Sequence, residues 1–158
     1  MGHEAVGFDI AANSEEDLRA NKALLRQRMA EADFVFFLAF DVGVARYLKT
    51  YQHTYEFISN NTKIMDVTFE ALRELQKPFI FASSQMANMT HSSYGVLKAL
   101  GDFYTRTLNG LVVKFWNVYG VEHDPRKFHA ITDFILKAKR EGRIELMTTG
   151  EEDRRAHV

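Results

Sequence analysis

The chain has 158 residues, enough for one domain with a real core, since 46% of them are hydrophobic and 13% aromatic. A formal net charge of −1 gives no electrostatic reason to capture nucleic acid or an anionic membrane, and the absence of cysteine excludes disulfides, thiolate metal sites and cysteine nucleophiles. No apolar run approaches membrane-spanning length and the N-terminus lacks a basic-then-apolar leader, so a soluble, cytoplasmic protein is expected.

Glu4–Phe8 reads as a short strand closed by Asp9. Asn13 or Ser14 suits the cap of a helix with acids first (Glu15, Glu16, Asp17) and bases later (Arg26, Arg28). Phe34–Ala39 is a continuous apolar run, which predicts a strand buried on both faces, as in a parallel sheet. Tyr51–Gln76 predicts one long helix with Phe57, Ile64, Val67 and Leu72 among its apolar positions. Pro78–Ala82 predicts a second buried strand. Ser92 or Ser93 then caps a helix whose Val96, Leu100, Phe103 and Thr107 form an inward stripe. After the turn Asn109-Gly110, Leu111–Phe115 predicts a third strand, and Phe128–Lys139 an amphipathic helix with Ile131, Ile135 and Ala138 aligned. Thr148–Val158 is polar and reads as a loop or frayed tail. Strand and helix alternate throughout, so the expected fold class is α/β with a mainly parallel sheet, in one domain over 1–158.

Three residues carry the chemistry. Tyr94 and Lys98 are four apart, so both side chains leave one helix face. A phenol is a poor base at neutral pH, with an ordinary pKa of about 10. A nearby ammonium stabilises the phenolate and lowers that value. Ser84 lies just upstream, where its hydroxyl can orient a substrate oxygen beside the tyrosine. The spacing also suits a surface helix with a half-buried tyrosine and a solvated lysine. In an open parallel sheet, ligands bind at the carboxyl ends of strands. Asp9, Ser83 with Ser84, and Asn117 all stand at such ends. Each also suits an ordinary turn or cap. A third constellation, His91, His123, Asp124 and His129, has no spacing that matches a metal-ligand set.

Taken in order, Phe79-Ile-Phe-Ala-Ser-Ser84, Tyr94-Gly-Val-Leu-Lys98 and Phe115-Trp-Asn-Val-Tyr-Gly120 resemble the extended short-chain dehydrogenase/reductases. More narrowly, they look like the NAD-dependent epimerase/dehydratase group that acts on nucleotide sugars. Gly2–Asp9 resembles that family's second strand with its ribose-binding acid, and Asp17-Leu18-Arg19 its adenine contact. Ala32–Ala39 resembles the fourth strand, with Leu38 and Ala39 beside the cofactor, and Asn61 the residue that opens the family's long helix. The resemblance implies a Rossmann-like doubly wound sheet and NAD as cofactor. It implies a nucleotide-sugar substrate and a homo-oligomer, most simply a dimer. It makes Tyr94 the acid/base and Lys98 the residue that holds the nicotinamide ribose and depresses the Tyr94 pKa. Ser84 would bond the reacting oxygen, Ser83 would lie beside the cofactor, and Ser84, Gln85 and Asn117 would touch substrate.

Two departures from the family pattern shape the expectation. Gln85 and Met86 stand where dehydratases keep an acid pair and decarboxylating members keep a Glu. Neither exchanges a proton at neutral pH, which leaves epimerisation or simple oxidoreduction. The family's G-x-x-G-x-x-G turn, which holds the pyrophosphate at a helix N-terminus, is not in the sequence. The first, central strand and most of the substrate region go with it, so a shortened chain is expected, with a rearranged or dimeric sheet. A non-catalytic remnant of the fold, acting as a binding or assembly module, is the competing reading.

Overall fold

Three short strands, β1 (Val35–Phe37), β2 (Phe79–Ser84) and β3 (Leu111–Phe115), lie parallel in the order β1-β2-β3. The computed structural model describes residues 2–43, 45–116, 118, 120 and 130–144. The helices are α1 (Lys22–Glu31), α2 (Ala45–Tyr51), α3 (Tyr55–Leu75), α4 (Ser93–Thr107) and α5 (Ala130–Glu141). Parallel neighbours need a crossover, and α3 and α4 supply them. Register pairs Phe37 with Phe81 and Phe81 with Val112. None of the described helices is long and apolar enough to cross a membrane.

The core lies between the sheet and α3. Thr54 caps α3 by accepting from the Phe57 amide at 3.3 Å, and Phe57, Ile64, Val67 and Leu72 are all buried, as the apolar periodicity predicts. The rings of Phe37, Phe69 and Phe81 stand 5.2–5.6 Å apart in tilted and edge-on pairs, the favoured aromatic geometries. α1 is capped by Asn21 and tied to α3 through Arg26, which bonds Glu74 at 2.8 Å and Glu70 at 3.1 Å.

Several elements differ from the sequence expectation. Glu4–Phe8 is irregular, not a strand; among the described residues no strand lies beside it to complete its backbone bonds, and of this segment Phe8 packs on the core. The sheet does not close up by placing that segment next to β1, which stands at the sheet edge. Asn13 caps only a short 3-10 turn, Ser14–Glu16, and α1 starts afresh at Lys22. The long helix is broken at Gln52–Thr54, because Thr54 takes up an extended backbone to cap α3. β1 is not buried on both faces: Phe36 is 65% exposed and Leu38 59%, on the side that α3 and α4 do not cover.

The fourth helix is turned round. Its buried residues are Gly95, Leu97, Lys98, Gly101, Asp102 and Thr105, while Val96, Leu100 and Phe103 are exposed. The stripe expected to point inward points out. Gly101 explains part of this, since the Phe81 ring fills the space a Cβ would need there. α5 begins at Ala130 and Ile135 on it is exposed; Phe128, His129 and Thr148–Val158 lie outside the described residues.

Candidate active site

β2 runs two residues further than the sequence suggests, so Ser83 and Ser84 are its last two residues. Ser84 then turns the chain: its Oγ accepts from the Met86 amide at 3.2 Å and starts the 3-10 turn Gln85–Asn88. That turn lies directly on the first turn of α4. Only glycine permits this, because a Cβ on Gly95 would collide with the Met86 carbonyl oxygen. Ser92 caps α4, its Oγ accepting from the Gly95 amide at 3.1 Å and donating to Gln52 Oε1 at 2.7 Å. Ser84 and Tyr94 are thereby brought together from strand and helix.

Burial pushes the Tyr94 hydroxyl above its ordinary value, and the Ser84 hydroxyl beside it pulls the other way. The depression by Lys98 expected from the spacing is not what the site shows, because Lys98 is held elsewhere. Its Nζ donates to the Ala82 carbonyl at 2.7 Å and stands 3.9 Å from the Phe40 ring centre and 5.8 Å from that of Tyr94. Burial drives Lys98 down to about 7, against an upward pull from Asp102. A lysine at that value exchanges protons near neutral pH.

The other candidates are placed as follows. Asn61 is fully buried and works on the chain itself: its amide accepts from the Asp41 amide at 2.7 Å and donates to the Asp41 and Phe57 carbonyls. It shapes the loop after β1. Leu38 is exposed and Ala39 packs on the core at that same strand end. Ser83 is buried, and its Oγ has no partner among the described residues. Asp9 is exposed in a turn, its Oδ1 accepting from the Ala11 amide at 2.9 Å. Asp17 binds Arg19 through both oxygens at 2.8 and 2.9 Å, which holds its carboxyl below the usual range, and Leu18 packs on the core. Gln85 is half-buried and Asn117 lies outside the described residues. Thus Ser84, Tyr94 and Lys98 converge, Ser83 is buried beside Ser84 in β2, and Asp9 and Asp17 belong to the N-terminal segment.

Sequence reasoning passed over Phe40, Asp102 and Lys114 as members of this neighbourhood. Asp102 had a readable signal, one helical turn beyond Lys98 on the same face. Phe40, just past a strand end, had none.

Residues 3–156 match the model of the NAD dependent epimerase/dehydratase family. The chain belongs to that family. Among solved structures, Pen from Bacillus thuringiensis shares 20% identity over 84% of this chain and 41% of its own, with a TM-score of 0.63. The NAD dependent NDP-hexosamine 5,6-dehydratase TunA, involved in tunicamycin biosynthesis, shares 16% over 84% of this chain and 48% of its own, also at 0.63. The enzyme WbmF of Bordetella bronchiseptica, solved with NAD+ and UDP, shares 23% over 66% and 34%, at 0.51. At these identities the likeness shows the Rossmann-like fold. This family member spans less than half the length of each of the three. No curated protein matches its sequence.

The residues present fit the nicotinamide end of such a cofactor. Lys98 has three donors, and the Ala82 carbonyl takes one. The orphaned Ser83 hydroxyl lies at the carboxyl end of β2, the side on which parallel sheets bind ligands.

Proposed function

We propose that this chain carries the proton-transfer side of an NAD-dependent nucleotide-sugar epimerase or oxidoreductase, in a single Rossmann-like domain. The observation that supports it best is the meeting of Ser84, Tyr94 and Lys98 where β2 and α4 converge. Lys98 and Ser83 would hold the nicotinamide ribose side, with Leu38 and Ala39 flanking it; Asp9, with Asp17 and Leu18, would serve the adenosine end, and Asn61 keeps the loop between them in shape. Bound NAD would supply the hydride acceptor.

Tyr94 then takes the proton of the sugar hydroxyl on its phenolic oxygen, or returns it in the reverse direction. Ser84 orients the reacting oxygen by hydrogen bonding, and Gln85 and Asn117 contact the sugar nucleotide. Lys98, as an ammonium, would contribute its free donors to the cofactor's ribose rather than a lowered Tyr94 pKa. With Gln85 and Met86 after Ser84, no side chain in that turn moves a proton, so the reading favours epimerisation or oxidoreduction over loss of water. The exposed Val96, Leu100 and Phe103 on α4 support association of copies, here read as a cytoplasmic dimer.

The test combines binding and turnover. Added NAD should raise the melting temperature of the purified chain, and mass spectrometry should detect the cofactor in a native preparation. With NAD and a panel of nucleotide sugars, Tyr94→Phe should lower turnover by about 100-fold or more while the thermal shift persists. Absence of any NAD-dependent shift would leave the chain a non-catalytic remnant of the fold.

A further inference from the structure

Asp102 is 3% exposed and lies one helical turn beyond Lys98 on the buried face of α4. Its Oδ2 pairs across to Lys114 Nζ on β3 at 3.5 Å. The same ammonium reaches Asn88 Oδ1, in the turn behind Ser84, at 3.4 Å. Asp102 Oδ1 is buried and, among the described residues, has no hydrogen-bond partner. A buried carboxylate with one oxygen unsatisfied costs stability, so shape alone does not account for an acid here.

The surroundings of Lys98 show what that charge does. From α4 it is faced by Tyr94 and Asp102, and from β2 by the Ala82 carbonyl and the Phe81 ring. The Phe40 ring covers it from the loop after β1, and Lys114 approaches Asp102 from β3. The Gln85–Asn88 turn and the buried face of α3 carry no ionisable side chain. Among the described residues, Asp102 is therefore the one anion set against this buried amine.

We infer that Asp102 is a positioning residue of the site: its carboxylate, paired with Lys114 and set one helical turn from Lys98 on the same buried face, favours the ammonium form of Lys98 and ties α4 to β3 and to the turn behind Ser84. The inference deepens the proposed function, because it rests on Lys98 acting beside Tyr94. The opposing effects on Lys98, burial downward and Asp102 upward, leave it near 7, where loss of the anion has most effect on its charge.

The experiment follows the 13Cε resonance of Lys98 with pH in the whole chain, assigned by its loss in Lys98→Met. In Asp102→Asn the midpoint should fall by about one pH unit or more, taking the ammonium at pH 7 from about half to about a tenth or less. Mere loosening of the fold would admit water and raise the midpoint, so an unmoved or raised midpoint overturns the inference. Should Asp102→Asn fail to fold, Asp102→Thr is followed in the same way: the Lys98 midpoint should fall as in Asp102→Asn, and an unmoved or raised midpoint overturns the inference. In turnover, the alkaline limb should move to lower pH in Asp102→Asn. The resonance readings need neither cofactor nor substrate, so their failure is distinct from failure of the catalytic reading, which Tyr94→Phe tests.

Discussion

The Lys98 amine stands 3.9 Å from the centre of the Phe40 ring, and that ring meets Tyr94 edge-on at 5.7 Å. One aromatic ring thus touches both members of the Tyr-x-x-x-Lys pair. An ammonium over a ring face is held by the quadrupole, more strongly where water is excluded.

Replacing that face while keeping the volume apolar separates attraction from burial. Phe40→Leu should lower the Lys98 midpoint by about half a pH unit, the equivalent of an exposed-to-intermediate cation–ring contact. The 13Cε titration reads it directly, and a rise would show that the ring acts only by excluding water.

Lys98 also gives stability a pH dependence of known sign. Its folded value of about 7 lies below the unfolded value of about 10.4. Between those values the unfolded chain binds the proton and the folded chain does not, so this group makes stability rise with pH across the window. Below about 7 both states are protonated and the full cost of burying the charge is present. Lys98→Met should therefore stabilise the chain at pH 6 by at most about 4 kcal/mol, reduced by the loss of an ammonium beside Asp102. The gain should shrink steadily toward pH 10. Urea unfolding at pH 6, 8 and 9.5 checks the trend.

Much of this site was legible because its residues are close in sequence. Ser84, Tyr94 and Lys98 fall within one strand–turn–helix unit, and local spacing fixes most of their geometry. What escaped the reading depends on what each element packs against. On α4 the apolar stripe of Val96, Leu100 and Phe103 obeyed helical periodicity, yet the opposite face is buried. Glycines at 95 and 101 let the Gln85–Asn88 turn and the Phe81 ring approach so closely that the polar side, with Lys98, Asp102 and Thr105, goes inward. Periodicity identifies a helix with two usable faces but not which one the sheet takes. Glu4–Phe8 has strand composition, but a strand exists only with a neighbour to bond, which no window of sequence reports.

Gly95 offers a separation of structure from chemistry. Gly95→Ala puts a Cβ against the Met86 carbonyl, and backbone on both sides must shift. The expected cost is about 1–3 kcal/mol in urea unfolding. Because the shift opens the distance between Ser84 and Tyr94, turnover should fall by more than the folded fraction does, with the loss in kcat rather than KM.

The uncovered side of β1 predicts solution behaviour. Phe36, 65% exposed on an edge strand, is a template for pairing with another chain. Phe36→Lys should raise the concentration at which the chain stays monodisperse in light scattering, and change stability by only about 0.5 kcal/mol.

That β2 extends through Ser84 has a consequence of parity. Successive residues of a strand point to opposite faces, so Ser83 and Ser84 have non-interchangeable directions despite identical chemistry. Inserting or deleting one residue within Phe79–Ala82 would invert the assignment, presenting the wrong hydroxyl to the phenol while leaving composition, charge and hydropathy almost untouched. Whether this stretch is counted as odd or even is thus as much a property of the site as the identity of any side chain in it.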